Sequence, residues 1–323
     1  MRFSAVGGRA GLQARVPGLD EMGFSPGGNA RSIYETGSKL KTRCRMVRIS
    51  RATALVLFSV VIAVSMSFAQ KPIVVALSPD GLSAEEREPL RLYLVKQMGR
   101  EVKLIIPNNY NEYIAGFADG SIDFASLGAV NYVRAHAKQG VIPLVQRPND
   151  LQYHSVFVTG AATSINSLKD LKGKQFAFGD IYSTSGHVIP SLEMKRAGIN
   201  PETDIKFRYT GGHPNTAKLV ETGVVDAGAL DEVIYKSMID GGKLDRTKIR
   251  VFYTSKPFVD YVYAARKDVP EAERTRFSKA LQALKEGKDD QILRILRAKK
   301  FIPANDQEYG SIRQMVVELK LLD

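Results

Sequence analysis

Short apolar runs alternate with amphipathic stretches from residue 71 to the end of the chain. PIVVAL, VKLIIP and IDFASLG are apolar runs of strand length, whereas AEEREPLRLYLVKQMG and VNYVRAHAKQG carry apolar residues at helical spacing. Ser83 is suited to cap the first helix and Gly99 to end it. Strands that alternate with helices predict an α/β fold with a parallel sheet covered by helices on both faces.

A second cycle of the same alternation begins with YHSVFVTG. QFAFGD, IKFRYTGG and VDAGALD are further predicted strands, RVFYTS and YVYAARKD are extended again, and the tail is helical. This order predicts two α/β lobes joined by extended crossings near residues 152–160 and 251–265. On this basis residues 70–152 and 262–323 form lobe 1, and residues 153–261 form lobe 2.

The chain carries the pattern of an export signal before the first predicted strand. Arg48 and Arg51 precede an apolar core from Ala52 to Met66, and Ser67-Phe68-Ala69 end in the small residue that a signal peptidase requires. Residues 46–69 are therefore predicted to be a signal peptide, which implies a periplasmic protein. An uncleaved membrane anchor is the alternative, although the apolar core is shorter than the about 20 residues that span a bilayer.

The segment before this signal has no periodic apolar pattern. Residues 1–45 are rich in Gly, Arg and Ser. Because signal peptides begin with their positive region, Met46 is a candidate true start. Residues 1–45 are then expected to be a mis-assigned or disordered extension.

Charge and cysteine usage narrow the functional classes. The formal net charge is +12, but residues 1–69 carry a large part of the positive surplus and the rest is spread along the chain. This distribution is typical of a solvated mixed surface and does not predict nucleic acid as a partner. The only cysteine, Cys44, precedes the apolar core, so the exported chain has neither a disulfide nor a thiolate site, and the histidines show no metal spacing. No cofactor and no metal are expected.

One loop concentrates hydroxyl groups where a strand meets a helix. In open α/β sheets ligands bind beyond the carboxyl ends of strands, and GDIYSTSG follows the strand QFAF at such a place. Ser183, Thr184 and Ser185 precede an amphipathic stretch, whose N-terminus would present unpaired N–H groups to an anion. Ordinary N-capping, which needs a single Ser or Thr, is the alternative. The motif alone leaves both interpretations open.

Four other residues lie at comparable strand ends or crossings. His213 follows the TGG turn before a helix, and Asp231 ends the strand VDAGALD. Tyr110 opens a helix after NN, and Tyr153 lies at the first crossing. Each has a plain alternative: His213 as a structural or exposed histidine, the tyrosines as core or surface aromatics, and Asp231 as a helix N-cap.

In combination these motifs resemble a known family. The sequence is similar to the substrate-binding proteins of bacterial ABC importers for phosphonate, phosphite and phosphate, which are type II periplasmic binding proteins. The resemblance covers essentially the whole exported chain. The motifs that carry it are NNYNEYIAGFADGSIDFASLG, the YHSVFV crossing, GDIYSTSGHVIP, TGGHPNTAKLVETGVVDAGALD and SKPFVDYVYAARKDV.

The resemblance implies a cleft between the lobes that binds a phosphorus oxyanion and closes by a hinge motion, a membrane permease as partner, and a monomeric receptor. It implies six residues around the oxyanion: Tyr110, Tyr153, Ser183, Thr184, Ser185 and His213. Asp231 and Asp260 match less directly, since many relatives have an Asn-Asp-Pro-like turn where this chain reads PFVDYVY. His187 also replaces a residue that is usually aromatic or aliphatic. Both departures lie where an organic substituent of a phosphonate could be sensed.

Three alternative functions remain open on sequence grounds. A Ser183–His213 pair suggests acyl transfer, but the chain has neither a G-x-S-x-G elbow nor a residue marked to orient the base. A sensory receptor would share the fold, although no output domain is apparent in the sequence. A sulfonate or a vitamin precursor is the remaining alternative within transport.

Overall fold

The structure is a computed structural model that describes residues 71–78 and 83–322. The predicted signal peptide at residues 46–69 and the extension before it lie outside these residues. In the described part of the chain, no helix combines the length and the apolar character that crossing a membrane demands.

The first sheet has six strands, in the order β11-β4-β10-β3-β1-β2. Its strands are β1 (Ile73–Ala76), β2 (Val102–Ile105), β3 (Phe124–Leu127), β4 (Ile142–Gln146), β10 (Val262–Ala265) and β11 (Ile302–Pro303). Its helices are α1 (Ala84–Met98), α2 (Tyr110–Asp119), α3 (Ala129–Gln139), α8 (Glu271–Gln282), α9 (Asp290–Ile295) and α10 (Gly310–Glu318). Buried apolar clusters cover both of its faces. We call this body lobe 1.

The second sheet has five strands, in the order β7-β6-β8-β5-β9. Its strands are β5 (Ser155–Gly160), β6 (Gln175–Phe178), β7 (Lys206–Tyr209), β8 (Ala227–Asp231) and β9 (Ile249–Thr254). Its helices are α4 (Ile189–Arg196), α5 (Pro201–Asp204), α6 (His213–Glu221) and α7 (Glu232–Asp240). It too has an apolar cluster on each face. We call this body lobe 2.

Both sheets are mixed, so the expectation of a purely parallel sheet is wrong. β10 runs antiparallel to β3 and β4, and β5 runs antiparallel to β8 and β9. A parallel neighbour requires a crossover connection, usually a helix. The strands β5, β9 and β10 instead lie next to the interlobe crossings, where the chain passes between the lobes in extended form.

The two ends of helix α1, at the start of lobe 1, are capped as the sequence predicts. Ser83 caps α1 and forms a capping box with Glu86, and Gly99 ends the helix at a φ of 71°. A Ser cap of this kind stabilises a helix by about 1 kcal/mol. The buried face of α1 carries Leu90, Leu94 and Met98, which anchor the helix on the sheet.

The two crossings are hydrogen-bonded to each other between the lobes. The Tyr153 N–H donates to the Phe258 carbonyl over 2.8 Å, and the Phe258 N–H returns a bond of 3.0 Å to the Tyr153 carbonyl. The Asp260 N–H donates to the Asp150 carbonyl over 2.9 Å. The crossings therefore form one short ladder, which fixes where Tyr153 and Asp260 enter the cleft.

Candidate ligand-binding site

The Ser183 loop begins a π-helical turn that leads into α4. This turn spans Thr184–Val188, and Ser183 is its N-cap: the Ser183 hydroxyl accepts the Gly186 N–H over 3.0 Å. The capping alternative is therefore correct for Ser183. It does not exclude ligand binding, because a hydroxyl that accepts one hydrogen bond still has its own proton to donate.

Thr184 and Ser185 are buried where the two lobes meet. The Val130 N–H, at the start of α3 in lobe 1, donates to Thr184 Oγ1 over 3.0 Å. The Ser185 carbonyl accepts a hydrogen bond from the Ser155 hydroxyl. Since Ser183, Thr184 and Ser185 are each at most 3% exposed, their polar groups are directed into the protein and not toward solvent.

Gly186 permits the close approach of two side chains. A Cβ atom at this position would lie 2.7 Å from the Ser183 hydroxyl and 3.1 Å from His213 Cε1. His213 and the hydroxyl loop are therefore adjacent in space, although they are far apart in the sequence.

We expect Gly186→Ala to weaken ligand binding on the order of 10-fold or more, because the added methyl group displaces Ser183 and His213 from their positions. Calorimetric titration with methylphosphonate and phosphite measures the change. Gly310→Ala is the control, since no atom lies within 4 Å of a Cβ at that position. Equal affinity for Gly186→Ala and the wild type would show that this packing does not position the site.

His213 is oriented so that its Nε2 atom is a hydrogen-bond donor. His213 is the first residue of α6 and is 4% exposed. The Asp231 N–H donates to His213 Nδ1 over 3.3 Å, so in the neutral imidazole Nδ1 is the acceptor and Nε2 carries the proton. Burial lowers the pKa of His213, opposed by the charge of Asp231 and assisted by that of Arg297. The neutral imidazole therefore offers one N–H to a bound oxyanion.

Two buried carboxylates each have one oxygen without a hydrogen-bond partner. Asp231 Oδ1 caps α7 by accepting the Ile234 N–H over 2.8 Å, and Asp260 Oδ1 accepts the Ala129 N–H over 2.9 Å. Among the described residues, neither Oδ2 atom has a partner, although both side chains are only 1% exposed. An unpartnered buried acceptor of this kind is destabilising unless something donates to it.

The environment of Asp260 keeps its carboxyl largely protonated near neutral pH. Burial raises the pKa of Asp260 to about 8, the bond from the Ala129 N–H opposes the rise, and the charges of Asp231 and Asp150 add to it. The Thr184 side chain lies beside this carboxyl and opposes the rise in its pKa. Asp260, which matches the family less directly than the six residues around the oxyanion, therefore lies against the hydroxyl loop.

The predicted tyrosines face the same region from lobe 1 and from the crossing. Tyr110 is the first residue of α2, and its hydroxyl lies within hydrogen-bonding reach of Ser183. Burial and the charge of Asp180 raise the pKa of Tyr110, which keeps the hydroxyl a donor. Tyr153 is 1% exposed, and its hydroxyl, which has no hydrogen-bond partner in the described part of the chain, is directed toward Asp231.

Sequence reasoning did not single out Tyr261. The ring of Tyr261 lies 5.6 Å from that of Tyr153, and burial together with the Asp231 charge raises its pKa well above the usual value. Its position directly after Asp260 was the available signal. His187 bonds the Ile181 carbonyl over 2.7 Å and packs edge-on against Phe178, and its role in sensing a substituent stays a prediction.

A cavity of about 50 Å³ adjoins Asp231. Its polar lining includes Tyr153, Asp231, Tyr261, Arg147 and Asp150. Within the described ranges, no group of three or more His, Cys, Asp or Glu side chains is arranged to hold a metal ion. The site therefore combines neutral donors with the acidic groups of Asp231 and Asp260, and the cavity lies on its Asp231 and Tyr153 side.

Two α/β lobes on paired crossings, with buried polar groups directed between them, define a type II periplasmic binding protein. The family described as "ABC transporter, phosphonate, periplasmic substrate-binding protein" matches residues 73–309, and the chain belongs to this family. The fold class and the family predicted from the sequence are confirmed. The members of this family are transport binding proteins and not enzymes.

The chain is similar to two curated relatives, one named for phosphite and the other for phosphate. The chain is 30% identical over 237 residues to the probable ABC transporter phosphite binding protein PhnD1 of Prochlorococcus marinus (strain MIT 9301), covering 69% of this chain and 80% of the relative. It is 31% identical over 192 residues to the phosphate-import protein PhnD of Mycolicibacterium smegmatis, covering 55% and 60%.

This chain is similar to a solved structure over nearly the whole length of that structure. That structure is PhnD1 of Prochlorococcus marinus (MIT 9301) in complex with methylphosphonate, with a TM-score of 0.72 and 28% identity. The match covers 77% of this chain and 98% of that chain.

Proposed function

We propose that this protein is the periplasmic receptor of an ABC importer and binds a phosphorus oxyanion, namely a phosphonate, phosphite or phosphate, between its lobes. The observation that carries the proposal is that hydroxyl donors lie beside buried carboxyl oxygens that have no hydrogen-bond partner among the described residues. The hydroxyl loop at Ser183–Ser185 faces Asp260, and within residues 71–78 and 83–322 the Oδ2 atoms of Asp231 and Asp260 have no hydrogen-bond partner. Similarity to a phosphite binding protein and to a structure that holds methylphosphonate supports it.

The donor set suits the oxygens of a tetrahedral oxyanion. Ser183, Thr184, Ser185, Tyr110 and the Nε2–H of His213 supply neutral donors, which bind by geometry without a full positive charge. Tyr153 adds a hydroxyl at the Asp231 side. These are the residues that we propose to contact the ligand.

The Asp231 carboxylate gives selectivity against fully ionised anions. A singly protonated phosphite or phosphonate has a P–OH that can donate to Asp231 Oδ2, and it thereby satisfies a buried acceptor. Sulfate has no proton at neutral pH and would place oxygen against oxygen, which like charges disfavour. The site is therefore expected to prefer a protonated phosphorus acid.

Binding is proposed to draw the lobes together about the crossings. Tyr110 and the N-terminus of α3 belong to lobe 1, whereas the hydroxyl loop and His213 belong to lobe 2. A ligand that contacts both sides favours the closed arrangement, and it shifts the equilibrium only by its preference for that state. The closed receptor would deliver the ligand to the permease as a monomer, after export directed by residues 46–69.

A thermal-shift panel on residues 70–323 tests the proposal, with phosphite, methylphosphonate, aminoethylphosphonate, phosphate and sulfate. A ligand at 100 times its Kd stabilises the native state by about 2.7 kcal/mol, which raises the melting temperature by roughly 5–10 °C in a protein of this size. We expect such a shift with at least one phosphorus oxyanion and none with sulfate. A shift with sulfate alone, or with sulfonates alone, would reject the phosphorus ligand.

A further inference from the structure

The first half of α3, in lobe 1, contacts the hydroxyl loop of lobe 2 at three points. The Val130 N–H donates to Thr184 Oγ1 over 3.0 Å, and Asn131 Nδ2 donates to the Tyr182 carbonyl over 3.1 Å. One turn further along the helix, the guanidinium carbon of Arg134 lies 3.3 Å from the centroid of the Tyr182 ring. The helix therefore binds the loop through its backbone and through its side chains.

Arg134 connects two elements that face the ligand site. Arg134 Nη2 donates to Asn111 Oδ1 over 3.1 Å, and Asn111 directly follows Tyr110 in α2. Tyr182, on whose ring the guanidinium stacks, directly precedes Ser183. Arg134 is only 2% exposed, although an arginine is seldom buried unless it is paired. Its side chain therefore reaches from the Tyr110 end of lobe 1 to the hydroxyl loop of lobe 2.

The surroundings of Arg134 make its contact with the loop a strong one. Burial lowers the pKa of Arg134, and Tyr182 and Asp180 oppose this shift. Asp180 belongs to the same loop, because its Oδ1 atom accepts the Tyr182 N–H over 2.8 Å. A cation that stacks on an aromatic face away from water is attracted more strongly than an exposed one. Arg134 therefore attracts both the ring and the carboxylate of the loop.

The ligand reaches the hydroxyl loop only when these contacts open. Ser183, Thr184 and Ser185 are each at most 3% exposed while the lobes touch. An oxyanion that binds to these hydroxyls or leaves them therefore requires the loop to separate from α3. Contacts that exist only while the lobes touch stabilise the closed arrangement, and opening of such an arrangement commonly sets the rate of release.

We propose that Arg134 and Tyr182 form a latch between the lobes, which keeps the hydroxyl loop against α3 and slows ligand release. Arg134 is a positioning residue in this proposal, since it acts on the ligand through the loop. The inference rests on the proposed function, because ligand release is the step that the latch controls. It deepens that function by naming the contact that determines how long the receptor stays closed.

Two variants of Tyr182 test the latch through the dissociation rate. Tyr182 is half-buried in a loop, so Tyr182→Leu and Tyr182→Phe are both expected to fold. Leucine keeps much of the apolar volume but has no aromatic face, whereas phenylalanine keeps the face. Stopped-flow displacement of methylphosphonate and phosphite should show release on the order of 10-fold faster for Tyr182→Leu and within about twofold of the wild type for Tyr182→Phe.

Two further variants separate the latch from a general loss of stability. Tyr235→Leu is the matched control, because Tyr235 is a half-buried tyrosine on α7 of the same lobe and packs against the core of that lobe. It should leave the release rate unchanged. Arg134→Met should speed release about as much as Tyr182→Leu, and the double variant should release little faster than either single variant, since both remove the same contact. Additive effects of the two substitutions would reject the latch.

Hydrogen exchange at the Val130 amide measures the latch without a ligand. Val130 is the second residue of α3, so its N–H has no acceptor within the helix and is bonded across the lobes to Thr184 Oγ1. Tyr182→Leu should speed exchange of this amide by up to about 10-fold, because the lobes separate more often. Tyr182→Phe and Tyr235→Leu should exchange like the wild type.

The outcomes separate this inference from the proposed function. If the wild type binds a phosphorus oxyanion and Tyr182→Leu releases it no faster than Tyr235→Leu does, the latch is rejected and the proposed function stands. If the wild type binds no anion of the panel, the proposed function fails, and exchange at Val130 decides the latch. Faster exchange in Tyr182→Leu alone would then support the latch, and equal exchange in all variants would reject it.

Discussion

Replacing Ser183 and Thr184 together by alanine is expected to weaken binding of methylphosphonate or phosphite by about 100-fold or more. Each hydroxyl is buried, and a hydrogen bond to a charged group contributes about 1.5–3 kcal/mol. Two such bonds therefore account for on the order of 10²–10⁴ in affinity. Thr184 also accepts the Val130 N–H of lobe 1, so the variant loses a hydrogen bond between the lobes. Titration calorimetry measures the change.

Ser167→Ala is the matched control for this double variant. Ser167 belongs to the same lobe and precedes the turn Leu168–Leu171, and its hydroxyl donates to Asp170 Oδ2 over 3.0 Å. Losing this hydroxyl is expected to lower stability slightly and to leave affinity unchanged. If the double variant of Ser183 and Thr184 kept wild-type affinity, the hydroxyl loop would not be the ligand site, although the fold would stand.

Asp260→Asn is expected to stabilise the ligand-free protein at pH 7 by on the order of 3–4 kcal/mol. The unfolded chain ionises this carboxyl above a pKa of about 3.9, whereas the folded protein retains the proton up to about 8. Between these values the folded state binds more protons, so the contribution of Asp260 to stability falls as pH rises. Below about pH 4 the contribution has no pH dependence, and above about pH 8 the full loss has accumulated.

Denaturant unfolding at pH 5, 6, 7 and 8 measures this effect as the difference between variant and wild type. Because the difference cancels the titration of His213 and of other groups, it isolates Asp260. The gain in stability should grow from pH 5 to pH 8. Asp240→Asn, which removes an exposed carboxyl at the end of α7, should follow the wild type at every pH. A constant or shrinking gain for Asp260→Asn would show that Asp260 ionises normally in the folded state.

The expected stability of Asp260→Asn also bears on why this buried carboxyl is present in the site. A buried carboxyl with an unpartnered oxygen is unfavourable for the free receptor, and a ligand that hydrogen-bonds to this oxygen offsets the cost. Strain of this kind is common at functional sites, where stability is lower than the fold alone would allow. The two carboxyl groups are therefore better explained by the ligand than by the fold.

Much of the local structure followed from the sequence. The alternation of apolar runs predicted the strands, and Ser83 and Gly99 marked the limits of α1, since capping depends on neighbouring residues only. The loops after the strands predicted where polar groups would collect, because the ends of strands share one edge of a sheet. The family and the fold class were predicted from the same motifs and are confirmed.

Other features depended on distant parts of the chain. The antiparallel direction of β5 and β10 arises at the crossings, and hydrophobic periodicity carries no information on strand direction. The π-helical turn at Thr184–Val188 depends on how the hydroxyl loop packs between lobes. Likewise, the contacts of His187 with Phe178 and Ile181 could not be read from its place in the motif.

The sequence by itself determined which residue types line the cleft, because each of them follows a strand, opens a helix or lies in a crossing. Only the tertiary structure decided how they act together. It placed His213 beside Gly186, and it left Asp231 and Asp260 each with one oxygen unpartnered among the described residues. The physical reason is that burial, charge coupling and hydrogen-bond satisfaction depend on neighbours in space, which local patterns do not specify.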